Sequence, residues 1–214
     1  MAKILIMTAV EAEKEAVERG IGETSGIDVA IAGVGPAQAA ARTAFALPKD
    51  EYRMVVSVGI GGGFKNRAAI GDIVISDRLI AAELGAESSQ SFIPIDELGF
   101  GTNVITADDS SVQRLSSRLI EKNQRVHTGA ILTLSMVTGT DDTAHALIHR
   151  YPDACAEAME GFGVATAAAE QNLPVLEIRS ISNLTGPRDK ENWNIKEALA
   201  SLEPAGAAIK EVFA

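Results

Sequence analysis

The stretch YRMVVSVGIGGGF, residues 52–64, decides what kind of sheet this chain can build. Met54, Val55, Val56 and Val58 make four apolar residues in five, the composition of a buried strand, and the run leads straight into Gly59, Gly61, Gly62 and Gly63. A dinucleotide fingerprint needs a helix directly after such glycines, so that a diphosphate meets its N-terminus. Here Lys65, Asn66 and Arg67 follow, then AAIGDIVIS, which reads as a loop and another strand. The glycines are therefore read as places where backbone amides approach a ligand closely.

Upstream, Ile4 to Met7 reads as a buried strand, EAEKEAVERG as a short helix ended by Gly20, and IDVAIAGVG as a second strand. PAQAAARTAFAL is a helix with Pro36 in its first turn. The preceding GVGPAQ does enter that helix, but Gln38 stands where a dinucleotide fold keeps its third small residue. Downstream, GDIVISDRLIAAE is a fourth strand, and residues 84–103 read as an irregular loop. DDSSVQRLSSRLIEKN has the pattern of a capped amphipathic helix, VHTGAILTLSMVTG of a fifth strand and DDTAHALIHRY of a helix. ACAEAMEGFGVATAAAEQNL begins extended and turns into a small-residue helix; PVLEIRSIS is the last buried strand. A final helix runs from about Trp193 to Phe213, with Pro204 as a bending point. The alternation predicts an α/β fold: one domain over residues 1–214, with a central, mostly parallel or mixed twisted sheet flanked by helices.

Composition agrees, because 46% of the chain is hydrophobic but only 4% aromatic, a mixture suited to helices packed on a sheet. A formal net charge of -10 argues against duplex nucleic acid or an anionic membrane as partner, while leaving room for a small anion held by a local arginine. One cysteine, Cys155, excludes an intramolecular disulfide. His127, His145 and His149 are too scattered for a zinc site, and the last two read as a solvated helix face. No metal and no organic cofactor are expected. The apolar opening is too short for a signal peptide, and no run approaches the ~18 residues a membrane span needs, so a cytoplasmic protein is expected.

Three polar positions carry the chemistry. Glu160, in AMEG, follows an alanine-rich run and opens a helix, so it sits where ligands bind at strand ends. It reads equally as a carboxylate accepting from two ribose hydroxyls and as a helix N-terminal glutamate facing the dipole. Glu11 and Glu13 follow the first strand, and only one of them can face the strand ends, being two apart on a helix. In RSISNLTGPRDKENWN, residues 179–194, Asn183 appears where a buried strand should turn, followed by a Gly-Pro, an Arg-Asp pair and the only tryptophan.

MTAVEAEKEAV, GVGPAQAA, VGIGGGF, GDIVISD, AMEG and RSISN, in this order and spacing, resemble the nucleoside phosphorylase superfamily, on its branch of methylthioadenosine and adenosylhomocysteine nucleosidases. Within it, DRLIAAELGAES, FIPIDELGF and ISNLTGPRDKENWNIKEAL are most similar to the futalosine hydrolases of menaquinone biosynthesis. The resemblance implies a hydrolytic N-glycosidase in which Glu13 activates water, Met159 and Glu160 hold the ribose, and Gly61 and Gly62 line the base and sugar pocket. Ile60 departs from the serine that adenine-specific relatives keep in that turn. Asn183 stands where they keep an aspartate, which suits adenine; an asparagine offers its NH₂ to O6 of a 6-oxopurine and its carbonyl to a protonated N7. Futalosine carries hypoxanthine and a carboxylated aromatic ring, for which Arg188, in a loop with Asp189 and Trp193, is the expected partner. The resemblance also implies a homo-oligomer, taken as a homodimer. Rival readings are an adenine-releasing nucleosidase, a phosphorylase and a non-catalytic nucleoside-binding module. Two glutamates where phosphorylases need cations weigh against phosphorolysis.

Overall fold

The structure, a computed structural model, describes residues 2–48, 50–89 and 91–214. Its elements run β1 (Lys3–Thr8), α1 (Glu11–Ile21), β2 (Ile27–Ile31), α2 (Pro36–Ala46), β3 (Tyr52–Gly63) and β4 (Ile73–Ala81). Then come β5 (Gly85–Glu87), β6 (Phe92–Pro94), β7 (Val104–Thr106), α3 (Asp109–Glu121), β8 (Val126–Thr133) and α4 (Asp141–Arg150). The chain closes with β9 (Ala154–Ala158), α5 (Gly161–Ala169), β10 (Val175–Leu184), a 3-10 turn (Lys190–Asn192) and α6 (Ile195–Phe213).

The predicted α/β class with a mixed sheet is what forms. Its organiser is β3, which does not stop at the glycines but runs through them. The first half, Tyr52 to Ser57, pairs in parallel with β1, which in turn pairs with β2. The glycine half leaves β1 and pairs with the tip of β9, Gly62 opposite Glu157 and Gly63 opposite Ala156. Along its other edge β3 pairs with β10, β10 with β4, β4 with β8, and β8 with β9. Five strands thus close a ring, as in a small barrel, and the ring has no free edge along those pairings. Val74, Ile131, Ala156 and Ile181, one from each of the other four strands, cluster together. β3 contributes no side chain at Gly63, where a Cβ would lie 2.9 Å from Ile181 Cγ2.

Helices flank this sheet, most of them amphipathic, whereas the small-residue α5 is buried over most of its length. α3 is started by Asp108, whose carboxylate accepts from Ser111 N at 2.8 Å, satisfying an N–H that the first turn leaves unpaired. Gly20 does not end α1, which runs to Ile21. Its role is packing: a Cβ there would fall 1.8 Å from Glu203 O, so glycine lets α1 press against α6. α6 is helical on both sides of Pro204. The span read as loop, 84–103, holds a small hairpin of β5 and β6, three residues each and too short to show an alternating pattern. His145 and His149 are exposed on α4. Among the described residues no helix is long and apolar enough to cross a membrane.

Candidate active site

Where β3 exchanges β1 for β9, the C-terminal ends of those two strands splay apart. A cleft of about 340 Å³ opens between them, floored by Ile60, Gly61 and Gly62. The turn after β1 brings Glu13 to one wall, and the end of β9 brings Met159 and Glu160. Asn183 comes from β10 and Trp193 from the segment after it. Six of the seven sequence-predicted site residues (Glu13, Gly61, Gly62, Met159, Glu160, Asn183) therefore line one cleft.

Glu13 occupies the third position of α1 and is 3% exposed, whereas Glu11 is exposed. Its Oε2 accepts from Ala9 N at 2.8 Å and Val10 N at 3.3 Å, and its Oε1 accepts from Ile60 N at 2.8 Å. The carboxylate thus ties the helix start to the floor of the cleft. Burial pushes its pKa above the ordinary carboxylate range, against the pull of Arg179 and the backbone N–H groups.

Glu160 stands just before α5 but its side chain does not cap that helix. Oε1 instead accepts from Gly35 N, at the start of α2, at 3.3 Å, and Oε2 lies 3.1 Å from Arg179 Nη1. The carboxylate thus stands at the starts of two helices, lines the cleft, and is held there by Gly35 N and Arg179. Arg179, on β10 and 1% exposed, also donates from Nε to Glu177 Oε1 at 2.9 Å and from Nη2 to Ser57 Oγ at 3.1 Å. Gly59 makes room for it: a Cβ there would lie 2.6 Å from Arg179 Nη1 and 2.7 Å from Glu13 Oε1. Glu177 is fully buried, and its Oε2 has no hydrogen-bond partner among the described residues. Burial pushes its pKa up to about 7, with Arg179 opposing the shift. One guanidinium therefore serves a cluster of three carboxyl groups.

Asn183 reaches the cleft through a β-bulge. Ile181 is opposite Gly61 and Asn183 opposite Gly62, so Ser182 is the extra residue on β10. Strict alternation would send Ser182 and Asn183 to opposite faces; the bulge lets both line the cleft. Asn183 Oδ1 accepts from Ser182 Oγ at 2.8 Å, and Nδ2 donates to Leu184 O at 3.1 Å. Each amide end keeps one hydrogen-bonding capacity in reserve.

Arg188 is the one predicted residue outside the lining. It is exposed, with its guanidinium 6.0 Å from the centre of the ring of Trp193, which does line the cleft. Sequence reasoning missed Arg179, Glu177 and Glu157. The first two had a signal: Glu-x-Arg within an apolar strand puts both side chains on one face, where a buried charge needs its partner. Among the described residues, no group of three His, Cys, Asp or Glu side chains is placed to hold a metal ion.

The sequence profile of the phosphorylase superfamily matches residues 10–214, and the chain belongs to that superfamily. Two relatives cover nearly its whole length. The futalosine hydrolase of Streptomyces coelicolor is 45% identical, over 94% of this chain and 92% of its own. That of Acidothermus cellulolyticus is 43% identical, over 97% and 90%. The fold matches the solved structure of futalosine hydrolase from Helicobacter pylori strain 26695 with a TM-score of 0.84, covering 98% of each chain at 18% identity. At that identity the match speaks for the fold.

Proposed function

We infer that this protein is a hydrolytic N-glycosidase that cleaves futalosine to hypoxanthine and dehypoxanthine futalosine, a step of menaquinone biosynthesis, with residues 1–214 acting as one catalytic domain. The observation that carries this reading is Asn183 in the cleft with one free donor and one free acceptor capacity. Breaking the glycosidic bond leaves oxocarbenium character on the sugar and sends the electron pair into the purine, making N7 basic. Asn183 donates to O6 and accepts from N7 once N7 has taken a proton from solvent water, and both relatives named above act, by name, on futalosine. Glu13 takes the proton of the attacking water, its raised pKa making it a better base. Glu160 accepts from the ribose hydroxyls, held in place by Arg179, and Met159 lies against the sugar face. Gly61 and Gly62 let the base and sugar approach the backbone.

Water, not phosphate, is the nucleophile in this reading. Arg179 is the one buried arginine among the described residues, and Glu160 and Glu177 already occupy it. The cleft offers phosphate carboxylates instead of a free cation. The reaction calls for neither metal nor organic cofactor, and the enzyme works as a cytoplasmic homodimer. The test is incubation with futalosine, aminofutalosine, inosine and methylthioadenosine in phosphate-free buffer, with the free base identified. Hypoxanthine from futalosine at a rate indifferent to added phosphate is expected; faster release of adenine, or strong acceleration by phosphate, would overturn the reading.

Arg188 neutralises the substrate carboxylate in the same proposal, from a segment that closes over the cleft with Trp193. Arg188→Ala is expected to lower kcat/KM on futalosine by roughly tenfold, the size of a charge-assisted pair at a partly exposed site, and to leave inosine cleavage nearly unchanged. Equal proportional losses on both substrates would remove Arg188 from recognition.

A further inference from the structure

The cleft contains one ionisable side chain to which the chemistry above gives no task. Glu157, on β9, is 4% exposed and lines the cleft beside Asn183. Its Oε1 accepts from Thr138 N at 3.0 Å and its Oε2 from Thr138 Oγ1. No cation pairs with it among the described residues. A buried carboxylate with two neutral donors, both from a single residue, is under-satisfied: each oxygen can accept a further hydrogen bond.

Register places it opposite the base reader. Gly62 of β3 is paired with Glu157 across β9 and with Asn183 across β10. Residues in register on neighbouring strands project to the same face. Here the middle member has no side chain, and the two outer ones converge over it. A Cβ built on Gly62 would lie 3.3 Å from Glu157 Cγ and 3.4 Å from Asn183 Nδ2. An amide and a carboxylate thus come together over the glycine, beside the Thr185 methyl, whose carbon lies 3.2 Å from the same Cβ position.

We propose that Glu157 reads the N1 position of the leaving base, accepting the N1–H of a 6-oxopurine while Asn183 reads O6 and N7. The inference rests on the hypoxanthine-releasing reading above. Along the relevant edge a 6-oxopurine presents N7, then the O6 acceptor, then the N1–H donor; adenine presents N7, a 6-amino donor, then N1 as an acceptor. A carboxylate beside N1 therefore rewards the first base and opposes the second, whose lone pair it would face. Asn183 and Glu157 discriminate at adjacent atoms, so the site rejects adenine twice. Burial pushes the Glu157 carboxyl toward its protonated form, and the two Thr138 donors oppose that push and favour the acceptor form.

The test compares wild type with Glu157→Gln and Glu157→Ala on futalosine and aminofutalosine, without phosphate. A glutamine can turn its NH₂ toward an unprotonated N1. Glu157→Gln is thus expected to lower the futalosine-to-aminofutalosine ratio of kcat/KM by about thirtyfold or more, the scale of a site that loses a matched polar partner. An unchanged ratio, with both substrates falling together, would reduce Glu157 to a structural role. Should the variants not fold, the ligand is varied instead. Wild type is expected to be inhibited by hypoxanthine at least about tenfold more tightly than by 1-methylhypoxanthine, which lacks the N1 hydrogen; equal inhibition would refute the contact. Wild type that releases no hypoxanthine at all would instead overturn the function on which this inference rests.

Discussion

Replacing Glu13 by glutamine is expected to cut kcat on futalosine by about 10³, the range of a positioned general base, while changing KM by less than about threefold. The loss falls on kcat because the water proton moves only as the glycosidic bond breaks, whereas sugar and base are held by Glu160, Met159 and Asn183. Glutamine is also the hardest test of the geometry. Both Glu13 oxygens accept backbone N–H groups, Ile60 on one side and Ala9 with Val10 on the other, so an NH₂ must face one of these donors. That mismatch costs about 1–3 kcal/mol, and the variant should melt a few degrees lower. The two losses separate by pH. In wild type the base must be ionised, and burial holds its proton above the ordinary range, so activity falls on the acid side at a pH above that of an exposed glutamate. The residual activity of the variant should lack that limb. A Glu13→Gln enzyme retaining more than a tenth of wild-type kcat, or the same acid limb, would show that another group activates the water.

That Glu13 and not Glu11 faces the cleft was only half legible in the sequence. Spacing on a helix says that one of the pair turns inward; choosing between them requires the angle at which α1 leaves β1, and tertiary contacts set that angle. Buried strands announced themselves through composition, and the helices through period and capping. The closed ring did not, because the sequence of β3 does not record that Gly62 and Gly63 abandon β1 for β9. Nor did the bulge at Ser182, a one-residue slip between strands far apart in sequence. Asn183 was conspicuous as a polar residue ending an apolar run, and so were Glu160 and the glycines. Glu157 was not, since in ACAEAME it is one carboxylate close to another and only its partner strand shows which of them meets the base. Arg188 was conspicuous for its neighbours and proves to be an exposed residue outside the cleft lining, near Trp193.

Arg179→Met carries the largest expected effect on stability. The side chain is buried, donates to Glu177, Ser57 and the Ile60 carbonyl, and pairs with Glu160. Methionine fills much of the volume but leaves Glu177, Glu160 and Glu13 without the cation they share. Breaking a buried ion pair by removing one partner costs about 3–5 kcal/mol, which for a chain of this size is a Tm lower by roughly 10 °C. The sign with pH follows from Glu177. Its folded-state pKa of about 7 lies above the ordinary 4.5, so the protonated carboxyl favours folding. That contribution is complete below about pH 4.5 and is lost as pH rises through 7. Without Arg179 the carboxyl holds its proton to still higher pH, and ionising it in the interior becomes costlier. The Tm deficit of Arg179→Met should therefore be small at pH 5 and large at pH 8, and Glu177→Gln in the same background should recover part of the alkaline deficit but little of the acid one. A deficit independent of pH would mean that Arg179 acts through its packing volume. The expected pattern instead makes the guanidinium the counter-ion around which the nearly fully buried Glu13 and Glu160 are arranged in the cleft.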